Sequence, residues 1–186
     1  MREAVEKLLA ASEGTSTDSP VKSQPELAPQ LAKDLSPGMI SHDFVGYFVA
    51  NRQMKILTAN NPELVGNIIA EYESFITRAL DGTTTVSAPF ASVAMMKDES
   101  GRMRTGVPTM FVCAPIRDNG FQVVGALALR IRPERDFTRI LQLGRIGASG
   151  ETYAFDKKGL IVSNSRFDED LVLLGLLPDV EGVKSI

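Results

Sequence analysis

One pattern occurs twice in the chain, and it limits the fold more than any other feature. Residues 48–60 read FVANRQMKILTAN, and residues 153–165, which begin 105 positions later, read YAFDKKGLIVSNS. In both stretches two apolar segments flank a polar residue, Asn51 or Asp156, that is followed by a basic one. Short apolar segments joined by turn-forming residues are typical of paired antiparallel strands. The repetition predicts two copies of one sheet-containing module.

The first copy is long enough to be a complete module. After its two strands, apolar side chains recur at helical spacing over residues 62–80, which predicts one helix lying on a sheet. Residues 110–116 and 121–131 are two apolar segments around Asn119-Gly120, the clearest hairpin signal in the chain. The charged segment 97–106 is predicted to be an exposed loop. Helices alternating with antiparallel strands predict an α+β fold.

The second copy is shorter, because only 42 residues follow Gly144. We therefore expect a chain of four segments. Residues 1–39 form an N-terminal helical segment and linker, in which a short helix ends near Pro37 because proline disrupts helix hydrogen bonding. Residues 40–132 form the first module, residues 133–144 a connecting helix, and residues 145–186 the truncated start of the second module.

Charge and hydropathy exclude two classes of partner. The chain of 186 residues has a net charge of −3, so we do not expect a basic surface that binds nucleic acid. The longest apolar runs, such as residues 123–129, have about seven residues, whereas a helix that spans a bilayer needs about 20. Any membrane attachment is therefore expected through helices outside this chain.

The residues that carry chemistry do not form a catalytic set. The chain has a single cysteine, Cys113, and a single histidine, His42, whereas a structural zinc site needs four ligands. The glycine-rich residues 144–150 follow a helix and precede a strand, the reverse of a nucleotide-binding loop. A loose basic stretch could be an anion site or a partner surface, but a solvated strand end and helix face, diluted by Glu134 and Asp136, is the preferred interpretation: Arg130, Arg132, Arg135, Arg139 and Arg145. We predict no enzymatic activity, no cofactor and no metal site.

The second half of the chain resembles a known family. Residues 144–177 (GRIGASGETYAFDKKGLIVSNSRFDEDLVLLGLL) are similar to the start of the membrane-proximal module of double Cache domains. The residues that carry the likeness are Gly150-Glu151-Thr152-Tyr153, Asp156, Gly159, Ser163 and Ser165-Arg166-Phe167. The hairpin at 108–131 resembles the one that closes the membrane-distal module, so the resemblance covers about residues 40–177.

The resemblance implies a fold and a function. The fold is a PAS-like antiparallel sheet with flanking helices, followed here by a truncated second PAS-like module. The function is that of an extracytoplasmic, periplasmic sensor in a membrane receptor such as a kinase, a cyclase or a chemoreceptor. A small molecule binds in the distal module, and binding favours one of two conformations. Any catalytic domain lies outside this chain, and homodimerisation is left open.

The resemblance also bears on the ligand. Family members that bind amino acids use a Tyr, an Arg-x-Trp-Tyr element, and then a Tyr and an Asp. This chain has no tryptophan, and Phe90 and Leu127 stand where the second Tyr and the Asp are expected. A ligand ammonium against Leu127 would lose its solvation without gaining a partner. We therefore predict a small molecule other than an amino acid of the usual Cache type, bound on the concave sheet face by Phe90, Met110, Val112, Ala114, Gly125 and Leu127.

Two alternatives remain. In the first, the chain is a spacer or protein-interaction module of a membrane receptor, and the sheet face holds no ligand. The small residues Ala114 and Gly125 would then be places where a helix packs closely. A cavity with buried polar groups would favour a sensor, and a filled apolar core would favour a spacer. In the second, the chain is a cytosolic PAS-like sensor with a bound haem or flavin.

Overall fold

The computed structural model describes residue 9 and residues 27–98, 101–144, 146–159, 161–163 and 165–179. The chain divides into two compact units. The first contains Met1–Ser87 and Phe111–Ile131, and the second contains Ala88–Met110 and Arg132–Ile186. None of the helices in these described stretches is long and apolar enough to cross a membrane.

Helices and short strands alternate along the described chain. Their order is α1 (Leu27–Ser41), β1 (Gly46–Asn51), β2 (Ile56–Ala59), α2 (Glu73–Leu80), β3 (Thr85–Val86), β4 (Phe90–Ala91), β5 (Met96–Lys97), β6 (Met103–Arg104), β7 (Pro108–Arg117), β8 (Val123–Ile131), α3 (Pro133–Gln142) and α4 (Asp168–Leu173). The main sheet has the order β2-β1-β8-β7-β3, with β4 also paired to β7. Its pairs β1–β2, β1–β8 and β3–β7 are antiparallel. The α+β class predicted from the sequence is confirmed.

The hairpin of β7 and β8 is held by its turn. The Asp118 carboxylate accepts hydrogen bonds from the backbone N–H groups of Gly120 (2.8 Å) and Gln122 (2.9 Å). Phe121, rather than glycine, takes the left-handed conformation at φ 63°. Its ring is 77% exposed. The hairpin is confirmed. Its turn covers residues 118–122, one residue more than the turn of residues 117–120 predicted from the sequence.

The repeated pattern has the same turn in both places. The Asn51 side chain accepts hydrogen bonds from the N–H groups of Gln53 and Lys55, each at 3.0 Å, and Met54 follows with φ 61°. In the second copy Asp156 accepts from the N–H of Lys158 at 2.8 Å, and Gly159 has φ 80°. The two repeated stretches therefore form the same local turn. A complete second module beyond this turn remains a prediction.

The predicted end of the N-terminal helix was wrong. α1 continues through Pro37 to Ser41, although proline removes one helical hydrogen bond. Its side chains Leu31 and Leu35 are buried against Tyr47, Val49 and Leu57 of the sheet. This apolar packing outweighs the lost hydrogen bond.

The single helix predicted over residues 62–80 was also wrong. The chain forms two 3₁₀ turns, Pro62–Leu64 and Ala70–Tyr72, before α2 begins. Between them Gly66, at φ 87°, donates to the carbonyl of Ile56 (2.7 Å), and Ile56 donates to the carbonyl of Asn67 (3.0 Å). Because β2 takes these partners, the backbone at residues 66–67 cannot remain helical.

The second unit contains one hairpin where an exposed loop was predicted. β5 and β6 pair antiparallel, and the turn between them is held by Asp98. Its carboxylate accepts hydrogen bonds from the Arg102 N–H (3.0 Å) and from the Arg104 guanidinium (3.2 Å). Asp98 is buried, whereas Lys97, Arg102 and Gly106 are exposed. The segment is therefore exposed as predicted, but it contains a short hairpin held by these charge-assisted hydrogen bonds.

Candidate functional site

The two faces of the main sheet are covered differently. On one face, Leu9 and the α1 residues Leu31 and Leu35 pack against Tyr47 and Val49. The other face carries Phe48, which alternates with those residues along β1. The sheet therefore has a helix face, defined by Tyr47 and Val49, and an aromatic face, defined by Phe48.

Four aromatic rings close together form the aromatic face. Phe48 stacks on Tyr72 with ring centroids 5.4 Å apart and planes at 12°. Phe111 meets both rings, at 5.2 Å from each, and lies 5.5 Å from Phe75. All four side chains are at most 3% exposed. This part of the first unit is a filled aromatic core.

A buried cation stands on the same face. Arg130 pairs across β1 and β8 with Gly46, two residues along from the pair of Phe48 and Ala128. The alternation of side chains along β8 places it with the small residues Ala126 and Ala128 on the aromatic face. Arg130 is only 6% exposed. Its interpretation as part of a solvated strand end was therefore wrong.

Tyr72 is fully buried on the aromatic face. Burial raises the pKa of Tyr72 to about 12; the positive charge of Arg130 opposes that rise, and the negative charge of Glu71 adds to it. At neutral pH Tyr72 is therefore protonated and can donate a hydrogen bond. The aromatic face thus ends in a guanidinium and a neutral phenol, both buried.

Gly125 lies where the N-terminal segment packs. A Cβ atom at this position would stand 2.7 Å from Leu9 Cδ2 and 2.7 Å from the carbonyl oxygen of Ala50. Leu127 is half-buried and packs against the cluster that contains Leu9 and α1. Both residues therefore belong to the helix face. For Gly125 this is the close packing that the sequence analysis gave as an alternative to a ligand site.

The other expected site residues divide between the two units. Val112 and Ala114 alternate with Phe111 and Cys113 along β7, so they lie on the same side as Ile116, which packs against the helix face. Met110 and Phe90 belong to the second unit, where Met110 is buried and Phe90 is half-buried. The six residues do not form the single uncovered face that we expected, and their contact with a ligand stays a prediction.

The residues that carried the family resemblance come together in the second unit. The Glu151 carboxylate accepts hydrogen bonds from the Ser165 hydroxyl (2.9 Å) and from the Arg166 backbone N–H. The Arg166 guanidinium donates to the carbonyl oxygens of Gly147 (3.2 Å) and Gly150 (3.1 Å). A Cβ at Gly150 would lie 2.1 Å from the carbonyl oxygen of Ile146. These residues of the family resemblance therefore fix the conformation of the loop that contains Gly147, Gly150 and Glu151.

Cys113 is buried on β7, and burial raises the pKa of its thiol to about 12. At pH 8 the thiolate fraction is therefore on the order of 10⁻⁴, and the thiolate is the reactive form. We expect no reaction of the folded protein with a thiol reagent such as dithionitrobenzoate over minutes, and one equivalent of rapid reaction in denaturant. Rapid reaction of the folded protein, at a rate independent of stability, would contradict this burial.

No family model matches the sequence, and no curated protein matches it either. Solved structures do match. The ligand-binding domain of the Campylobacter jejuni chemoreceptor Tlp3, in complex with 4-methylisoleucine, aligns over 97% of this chain and 65% of its own, with a TM-score of 0.55 and 13% identity. The same domain with L-valine gives a TM-score of 0.54 at 13% identity, covering 97% of this chain and 66% of that one. The chain has the fold of a Cache-type sensor domain.

A second receptor gives the same result. The ligand-binding domain of the Pseudomonas fluorescens chemoreceptor CtaA, in complex with L-alanine, aligns over 91% of this chain and 64% of its own, with a TM-score of 0.50 and 13% identity. The chain thus spans about two thirds of the length of these sensor domains. The Cache resemblance seen in the sequence is confirmed for the fold.

Proposed function

We propose that this chain is the extracytoplasmic, periplasmic ligand-sensing part of a membrane receptor such as a kinase, a cyclase or a chemoreceptor. Its membrane-distal module, residues 40–132, would bind a small molecule. The chain would transmit binding to domains outside it and carry out no catalysis itself. The Cache-type fold, shared with receptor domains solved with small molecules bound, supports this role.

The observation that carries the proposal is the buried polar end of the aromatic face. Arg130 and Tyr72 are buried on the face of the aromatic rings, in a unit that also buries Thr58 and Thr85. Burying a charge opposes folding, so such groups are concentrated where recognition requires them. A spacer would need only the apolar rings.

The exposed apolar side chains of the second unit support the proposed truncated module at residues 145–186. A group of them is at least 69% exposed: Leu143, Ile146, Leu173, Leu174 and Leu176. Three of them lie within four positions of the sequence, and exposed apolar side chains that form one patch are usually covered by another part of a protein. We propose that further chain completes the module and leads to a membrane helix. An apolar segment of about 20 residues on each side of this sequence in the parent gene would support attachment.

The spacer or protein-interaction module remains the second candidate, and two observations favour it. The aromatic face is filled by its own rings, and the space beside Gly125 is filled by the side chain of Leu9. A spacer needs no more than this. The two functions therefore differ in whether a ligand stabilises the folded chain.

A thermal-shift screen with carboxylates, amines, amino acids, purines and sugars tests the proposal. A ligand present at 100 times its Kd adds about 2.7 kcal/mol to the free energy of unfolding. For a chain of this length we expect Tm to rise by roughly 5–10 °C. We expect amino acids of the usual Cache type to give no shift. A cooperative unfolding transition that no compound moves would favour the spacer.

A further inference from the structure

The turn between β7 and β8 contains a chemically labile pair of residues. Asn119 is followed directly by Gly120, and no other Asn-Gly pair occurs in the sequence. Both residues are exposed. The side-chain amide of an asparagine can be attacked by the backbone nitrogen of the next residue, and a glycine there has no Cβ to obstruct the attack. Exposed loop tips also tolerate changes of the chain best.

The side chain of Asn119 differs from those of the other described asparagines. Each of the other four is tied to a backbone group by a hydrogen bond of its side-chain amide: Asn51, Asn60, Asn61 and Asn67. Asn119 makes no hydrogen bond to the described residues. Its carboxamide can therefore turn toward the nitrogen of Gly120 without losing a partner, whereas the other four would first have to break a hydrogen bond.

The attacking nitrogen already contacts a proton acceptor. The Gly120 N–H donates to the Asp118 carboxylate at 2.8 Å, rather than to a carbonyl of a neighbouring strand. A carboxylate at this distance from a proton can accept it as the new bond forms. The Gln122 N–H donates to the same carboxylate oxygen at 2.9 Å and so fixes it within the turn. Attack by Gly120 therefore breaks no hydrogen bond of the sheet.

We propose that Asn119 is a site of self-modification, at which the folded turn deamidates the asparagine with Asp118 as the proton acceptor. The Gly120 nitrogen forms a bond to Cγ of Asn119. The proton of that nitrogen passes to the Asp118 carboxylate and from there to Nδ2, which leaves as ammonia when the Cγ–Nδ2 bond breaks. Water then opens the succinimide ring at either carbonyl, which gives aspartate or isoaspartate. The net reaction consumes one water and releases one ammonia, without oxidation or reduction.

Both products alter the turn. Each places a second carboxylate beside Asp118, and isoaspartate also adds one methylene group to the backbone. The hydrogen bond from the Phe121 N–H to the carbonyl of Asp118, at 3.1 Å, spans the position where that group is inserted. We therefore expect the isoaspartyl form to have a less stable turn and a lower Tm.

Incubation of the full folded chain at mildly alkaline pH, followed by mass spectrometry of its proteolytic peptides, tests this proposal. We expect residue 119 to exchange NH for O at least tenfold faster than the four hydrogen-bonded asparagines, with isoaspartate among the products. The same measurement in urea gives the rate for the unfolded chain. Reaction at Asn119 in urea but not in the folded chain would overturn the proposal, because the turn would then protect the side chain.

Three variants test the named residues. Gly120→Ala should slow the reaction at least tenfold, and it fits the turn, since a Cβ there would stand 3.4 Å from Asp118 Oδ1. Asp118→Asn keeps an acceptor for the turn but cannot take up the proton, so it should slow the reaction of the folded chain at least threefold. Asn119→Gln is the matched control and should stay unmodified, because its longer side chain forms the ring far more slowly.

The rates in urea separate the roles of Asp118. If Asp118 acts as the proton acceptor within the folded turn, Asp118→Asn should react in urea as fast as the unchanged chain. If Asp118 only shapes the turn, the folded Asp118→Asn variant should also react as fast as the unchanged chain, and that result would overturn its assignment. This site does not depend on ligand binding, so the thermal-shift screen and the deamidation rates test separate proposals.

Discussion

Replacing Phe48 by alanine is expected to lower the free energy of unfolding by about 3–5 kcal/mol. Phe48 is fully buried and contacts Tyr72, Phe75 and Phe111, so its removal leaves a cavity at the centre of four rings. The neighbouring rings cannot close this cavity without leaving their own packing. Urea unfolding followed by tyrosine fluorescence or circular dichroism measures the change.

A matched substitution exists in the same unit. Phe121 is also a phenylalanine beside a sheet strand, but its ring is exposed at the tip of the hairpin. Phe121→Ala should therefore change the free energy of unfolding by less than about 0.5 kcal/mol. Equal losses from the two variants would show that the aromatic face does not hold the first unit together.

The aromatic core also limits what this face can bind. A closely packed core tolerates an inserted group poorly, since added volume forces side chains from their preferred rotamers. Only a small ligand can enter without that cost. The filled aromatic face therefore disfavours the binding of a large cofactor. Arg130 marks the polar end of this face.

The strands could be predicted because their signals are local. Asn51 and Asp156 are polar residues between apolar segments, and each forms the turn that its position indicates. Asn61 caps the next segment, where its side chain accepts from the Glu63 N–H at 3.2 Å. In each case the residue that gives the signal also makes the hydrogen bond. Such features need no knowledge of the rest of the chain.

The errors arise where a distant partner outweighs the local preference. Gly66 leaves the helix because β2 offers it a hydrogen bond, and Pro37 stays within α1 because the sheet holds that helix. Neither partner is adjacent in sequence. Period and propensity therefore predicted α1 and α2 but misjudged where α1 ends and where α2 begins.

The burial of Arg130 was misjudged for a related reason. Arg130 was grouped with the arginines that follow it, although the alternation of Ala126, Ala128 and Arg130 places it on a buried face. The strand period was available in the sequence, but the burial of that face depends on Tyr72 and Phe111, which lie far away along the chain. The small size of Gly125 was noticed, and its cause, contact with Leu9, required the structure.

Replacing Gly125 by alanine is expected to cost about 3 kcal/mol, near the upper end for overpacking of a core. The new Cβ would stand 2.7 Å from two atoms, Leu9 Cδ2 and the carbonyl oxygen of Ala50. The leucine end can rotate away, but the carbonyl belongs to β1 and is fixed by its pairing with β8. The loss should appear as a lower denaturant midpoint with an unchanged slope.

Gly38→Ala is the matched control, with an effect of opposite sign. Gly38 lies within α1, and a Cβ there would meet no atom within 4 Å. Alanine should therefore stabilise the chain by about 0.5–1 kcal/mol through its better helix propensity. A destabilising Gly38→Ala would contradict the course of α1 through Pro37.

A double variant separates the two obstacles at Gly125. Leu9→Ala alone should also cost stability, because Leu9 is buried in the core cluster. Leu9→Ala together with Gly125→Ala should cost less than the sum of the two single losses, because the shorter side chain removes one of the two obstacles while the Ala50 carbonyl remains. A loss equal to the sum of the two single losses would show that Leu9 does not meet the new Cβ. The same strand carries Gly125 beneath Leu9 and, five residues later, Arg130 on the opposite face. In the proposed sensor, a ligand that moves β8 would therefore act directly on the packing of Leu9.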